Sequence, residues 1–118
     1  VVILCEDPQY WFNAKNNCED VGGSLLTVTN PFINTQLSTE VLNAGFSSTA
    51  IWIGANDTNT DGTWSWIDGT SWGYQNWKTG FPVAGDTFGY LITDGLNDGE
   101  WGSSSGTTDE LPYACTLP

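Results

Sequence analysis

The 118 residues carry 14 Asp and Glu against two Lys (Lys15 and Lys78) and no His, a net charge of −12. So little cation excludes nucleic acid and anionic membranes as partners, because almost nothing is present to neutralise phosphate. The missing imidazole removes the commonest general base and transition-metal ligand, while 39% hydrophobic and 14% aromatic residues argue against disorder.

The length suits one domain over residues 1–118. No apolar run approaches the roughly 18 residues of a membrane-spanning helix. No leader is evident, and Val1 reads as the start of a mature or trimmed chain. Three cysteines in a small acidic chain point to an oxidising, secreted setting with one pair and one left over. The leftover could be free, could pair outside this chain, or could join two copies.

In chain order, Val1–Cys5 is β-branched and reads as a strand. Asp7-Pro8 predicts a helix start, with Asp as cap and Pro at the first helical position. Trp11, Ala14, Cys18 and Val21 recur at helical spacing, and Gly22-Gly23 ends that helix. Residues 24–29 read as extended. Asn30-Pro31 predicts a second helix with an apolar face of Phe32, Ile33, Leu37, Val41 and Leu42, stopped at Gly45.

Residues 49–69 predict two strands around a polar loop. Ile51-Trp52-Ile53 makes the first, and Gly54 marks a close backbone approach. Trp64-Ser65-Trp66 alternates as the second, and Asp68-Gly69 turns. Residues 70–85 lose periodicity yet hold Trp72, Tyr74, Trp77 and Phe81. A loop that aromatic either folds onto the core or forms a binding face. Strands follow at 87–93, near Trp101, and at 111–117, with a polar loop over 103–108. The order of one strand, two helices and four or five strands predicts an α+β fold with helices on an antiparallel sheet.

Taken together, these motifs resemble the C-type lectin-like domain. They are Trp11-x-x-Ala14-x-x-x-Cys18, Trp52-Ile53-Gly54-Ala55, Gly62-Thr63-Trp64-Ser65-Trp66-Ile67-Asp68-Gly69, Asn76-Trp77-x-x-Gly80-x-Pro82, Gly99-Glu100-Trp101 and Pro112-Tyr113-Ala114-Cys115. They stand in the family's order over nearly the whole chain. The resemblance implies a double-loop α+β fold, two helices packed on small antiparallel sheets, with the long loop at residues 70–85. It also implies a Cys18–Cys115 bridge, leaving Cys5 unpaired or intermolecular.

The chain departs from the family where sugar-binding members hold calcium. They carry Glu-Pro-Asn or Gln-Pro-Asp in the long loop, where this chain has Phe81-Pro82-Val83. They carry Trp-Asn-Asp on the later strand, where this chain has Trp101-Gly102-Ser103. Calcium takes about six to eight oxygen ligands, and Phe81, Val83 and Gly102 offer no side-chain oxygen. The family's second disulfide is missing too.

Other chemistry is sparse. Asp57, Asn59, Asp61 and Asp68 fall at calcium-loop spacing, but strands flank them where helices should. Asp94, Asp98, Glu100, Asp109 and Glu110 form a second acidic group that could converge on a cation. Asn56-Asp57-Thr58 is an N-glycosylation sequon. Paired acids such as Asp98 and Glu100 are a weak case for a glycosidase, so no enzyme is expected.

The expected function is therefore extracellular recognition of a protein or glycan, without calcium or another cofactor, through Trp72, Tyr74, Phe81 and Val83. One alternative is a self-assembling structural protein that pairs through Val1–Cys5. The other is calcium-dependent sugar binding through a rearranged site.

Overall fold

The computed structural model describes residues 1–58, 62–105 and 108–118. The first strand, β1 (Val2–Gln9), runs through the Asp7-Pro8 pair rather than ending before it. Its pairing register shifts between Cys5 and Gln9. Pro8 is tolerated there because β1 lies at the sheet edge, where a missing N–H breaks no ladder. Helix α1 (Trp11–Asp20) starts later than Asp7-Pro8 predicts, with Tyr10 as its cap and no capping side chain. It buries Trp11, Ala14 and Cys18 as expected, whereas Val21 lies past its end and is exposed. The end is a Schellman turn: Gly22 N–H donates to Glu19 O and Gly23 N–H to Cys18 O.

After β2 (Ser24–Leu25), helix α2 (Pro31–Ala44) begins as predicted. The Asn30 Oδ1 accepts from Ile33 N–H at 2.9 Å, and Pro31 follows the cap. Its buried face differs from the predicted one. Asn34, Leu37, Ser38 and Val41 point inward, while Phe32 (75% exposed) and Leu42 (48%) point out.

Strand β3 (Ala50–Asn56) is buried along its whole length. Its continuous apolar run follows from burial on both faces of the sheet. Ile51, Ile53 and Ala55 join Leu37 and Val41 in one core layer with Leu91, Trp101 and Ala114. Trp52 joins Trp11, Ala14 and Cys18 in the other with Phe88 and Tyr113. Gly54 is needed where β3 crosses β2, since a Cβ there would sit 3.0 Å from Leu25 O.

The remaining strands are β4 (Ser65–Trp66), β5 (Phe88–Ile92), β6 (Trp101–Ser104) and β7 (Leu111–Thr116). They join one seven-stranded sheet in the order β1-β7-β3-β5-β6, with β2 on β7 and β4 on β3. This bears out the expected α+β fold of two helices on a mainly antiparallel sheet and corrects only its detail, because the strands form one sheet in which β3 and β7 run parallel. It also corrects the polar loop predicted over 103–108: Ser103 and Ser104 are buried strand residues. The Cys18–Cys115 disulfide ties α1 to β7 across a Cα–Cα distance of 5.4 Å.

Candidate functional site

The segment between β4 and β5 has no regular structure, yet backbone bonds pin it. Lys78 N–H donates to Trp101 O at 2.9 Å, and Trp101 N–H donates to Asn76 O at 2.9 Å. Residues 76–78 thus cover the outer edge of β6. Trp101 is fully buried and anchors the segment. The rings of Trp66, Trp72, Tyr74 and Trp77 stand edge-on to it at centroid distances of 5.5, 6.1, 5.8 and 5.5 Å. Its indole N–H donates to Asn34 Oδ1 at 2.7 Å, and Asn34 Nδ2 reaches Gly99 O at the same distance.

This splits the four expected ligand-binding residues. Trp72 and Tyr74 are half-buried in the Trp101 cluster. Phe81 is half-buried too, but on the far side of the loop, where its ring meets Tyr90 at 6.4 Å. Val83 is 48% exposed. The inner half of the loop is folded onto the Trp101 cluster, while in the outer half Phe81 packs on Tyr90 and the backbone of Val83 bonds to Ser103, leaving the Val83 side chain exposed.

In the outer half, side chains of the chain itself fill the positions the resemblance links to calcium. Val83 N–H donates to Ser103 Oγ at 2.9 Å, and that hydroxyl donates to Asp86 Oδ2 at 2.8 Å. Tyr90 and Gly102 are cross-strand partners in β5 and β6. A Cβ at Gly102 would come within 2.4 Å of the Tyr90 ring, so the ring lies where a side chain at 102 would extend. Burial pushes the Tyr90 phenol pKa up, and the nearby Asp109 and Asp86 carboxylates add to the shift. Positions 81, 83, 102 and 103 offer one hydroxyl, already engaged, against the six to eight oxygens calcium takes. These residues do not fit the family's ion.

Sequence reasoning did not single out Tyr90 or Asp86, and it read Ser103 only as a position that departs from the family's calcium ligands. A large ring opposite a glycine is a signal only once the β5–β6 register is known.

A direct test of this packing is Gly102→Ala. The substitution should push the Tyr90 ring out and cost about 1–3 kcal/mol in chemical denaturation, the usual range for overpacking. In a Tyr90→Ala background the same change should cost little. An equal cost in both backgrounds would show that Tyr90 is not what fills the space.

Several carboxylates of the other candidate sites accept from backbone amides of this chain. Asp57 is 8% exposed, and its Oδ2 accepts from Gly62 N–H at 3.1 Å. Asn59 and Asp61 lie outside the described residues. Burial alone would raise the Asp68 pKa, but hydrogen bonds, the Thr70 amide first, outweigh it and hold the carboxyl low. Asp94 Oδ1 accepts from the Leu96 and Asn97 amides, and Asp98 Oδ1 from Gly95 N–H. These bonds shape the β5–β6 turn. Among the described residues, no three acidic or Cys side chains converge as a metal site.

Cys5 lies on β1 opposite Tyr113, half-buried and outside the disulfide. Val2 and Ile3 beside it are 41% and 38% exposed.

Asn56 is 3% exposed. Its Nδ2 donates to Gly54 O and Ser65 O, and its Oδ1 accepts from Thr58 N–H and Oγ1. A glycan on Nδ2 would disrupt this network. Intact-mass and peptide spectra of protein from a glycosylating eukaryotic host are expected to show Asn56 unmodified; a hexosamine-bearing Asn56 peptide would contradict that.

Against known families, residues 7–117 match the model of the lectin C-type domain. Human C-type mannose receptor 2 is 35% identical over 107 residues, which cover 89% of this chain. The chain spans only 7% of that receptor's length. Human lithostathine superposes with a TM-score of 0.90 over 98% of this chain and 81% of its own, at 20% identity. A calcium-independent type II antifreeze protein superposes with a TM-score of 0.81 over 97% of this chain and 82% of its own, at 21% identity.

Proposed function

This chain belongs to the C-type lectin domain family, and on that premise we propose that it is a calcium-independent recognition domain. It works outside the cell and binds a protein or glycan through the outer half of its long loop. The reading rests on one observation above all: Ser103 is bonded to Val83 N–H and Asp86, and the Tyr90 ring covers Gly102, at the two β6 positions where sugar-binding relatives carry calcium ligands. The fold itself does not demand the ion, since a calcium-independent antifreeze protein shares it. The extracellular setting is supported by the Cys18–Cys115 bridge, since disulfides persist in oxidising compartments. No helix among the described residues is long and apolar enough to cross a membrane.

Within this reading, the Trp101 cluster is scaffold and Phe81 with Val83 is contact surface. Screening the domain on glycan and protein arrays should give the same hits in calcium as in EDTA. Phe81→Ala should weaken those hits while leaving the melting temperature nearly unchanged. Hits that vanish in EDTA, or that ignore Phe81, would overturn it.

A further inference from the structure

Between the long loop and the Tyr90–Ile92 end of β5 lies an open cleft of about 340 Å³. Phe81 and Tyr90 wall it, and Ile92 and Leu111 line it. Two carboxylates, Asp94 and Asp109, and one ammonium, Lys78, line it as well, beside Thr49 and Ala50. We propose that this cleft receives a lysine or arginine side chain presented by a partner protein. The proposal rests on the reading of the outer loop as the ligand-binding face and names what that face takes.

Three features select a cation. The first is the aromatic lining: Phe81 and Tyr90 meet edge-on beside the cleft, and aromatic rings attract ammonium and guanidinium groups, the more so as the site is desolvated. The second is the charge of the lining. The Asp94 carboxyl is held low by the Asn97 and Leu96 amides, with Lys78 contributing, so it stays ionised. Lys78 offsets one of the two carboxylates. Asp109 accepts from Ser104 Oγ, and an ionised carboxylate has acceptor capacity beyond one bond. The Tyr90 phenol, pushed upward chiefly by burial, is raised further by Asp109 and Asp86, whose negative field reaches the ring. The third is the whole molecule, whose net charge of −12 steers basic partners in and acidic ones away.

Nuclear magnetic resonance titration tests this on the intact chain. The probes are Nα-acetyl-lysine amide and Nα-acetyl-arginine amide, with Nα-acetyl-norleucine amide as the uncharged counterpart and N-acetylglucosamine as a neutral sugar. The basic amides should shift Phe81, Tyr90 and Asp109 resonances with millimolar midpoints, and added salt should weaken them. Norleucine amide should bind at least about tenfold more weakly, as expected when a charged hydrogen bond is lost. Asp109→Asn keeps an acceptor for Ser104 and should cost the basic probes a similar factor. Equal shifts from norleucine amide, or shifts from the sugar alone, would overturn the cation assignment while leaving the face as a ligand site. No shift at Phe81 and Tyr90 with any probe would overturn it as well, and the array result would then decide separately whether the outer loop binds anything.

Discussion

Replacing Cys18 and Cys115 together by Ala is expected to lower unfolding free energy by about 4–5 kcal/mol, the loop-closure value for a bridge across 97 residues. The bridge joins the buried face of α1 to β7, and β7 pairs with β1, β2 and β3. Without it, the unfolded chain regains freedom over nearly its whole length. A small domain holds about 5–15 kcal/mol in total, so the variant should unfold in mild denaturant and be partly unfolded near 37 °C. Urea titrations of the oxidised protein and the double variant measure the difference. A loss below about 1 kcal/mol would mean that packing of Trp11, Ala14 and Leu25 alone holds α1 to the sheet.

The second large effect belongs to Trp101→Ala. A fully buried Trp cut to Ala typically costs about 3–5 kcal/mol through lost transfer and the cavity left behind. Here the damage extends further, because four aromatic rings stand against this one side chain. Asn34 Oδ1 also loses its donor inside the core, which adds strain of its own. Trp101→Phe keeps most of the ring and removes the N–H, so it should cost about 1–3 kcal/mol. If both variants cost the same, the hydrogen bond rather than the ring would be the anchor. Ring-current-shifted resonances of Trp72 and Tyr74 should collapse toward random-coil values in the Ala variant and persist in the Phe one.

Much of this fold was legible in the residues. The run Ile51-Trp52-Ile53 declares a strand, which proves longer and buried along its whole length, and the spacing of Trp11, Ala14 and Cys18 declares a helix face. The misreadings share a cause: a local signal whose tertiary setting reversed its meaning. Asp7-Pro8 looks like a helix start, yet at a sheet edge the missing N–H of Pro8 costs nothing. Phe32 and Leu42 look like core, but the helix turns Asn34 and Ser38 inward, and Asn34 bridges Trp101 and Gly99 there. Ser103 and Ser104 look like loop residues, and they are buried because Asp86 and Asp109 accept from their hydroxyls.

At the candidate site the sequence displayed what was lost and hid what replaced it. Phe81, Val83 and Gly102 announce missing calcium ligands. That Tyr90 lies over Gly102 depends on strand register, which no motif encodes. Trp72 and Tyr74 could not be separated from Phe81 and Val83 by composition, because the backbone bonds of residues 76–78 to Trp101, which no motif encodes, decide which rings reach that indole.

The claim on which the functional reading turns is that calcium has no place in the long loop. Isothermal titration of the EDTA-stripped domain with calcium, run beside its melting temperature, tests it most directly. The expected result is no heat of binding up to millimolar calcium and no thermal shift. A site of micromolar to millimolar affinity with a raised melting temperature would contradict it and restore metal-dependent sugar binding as the function to pursue.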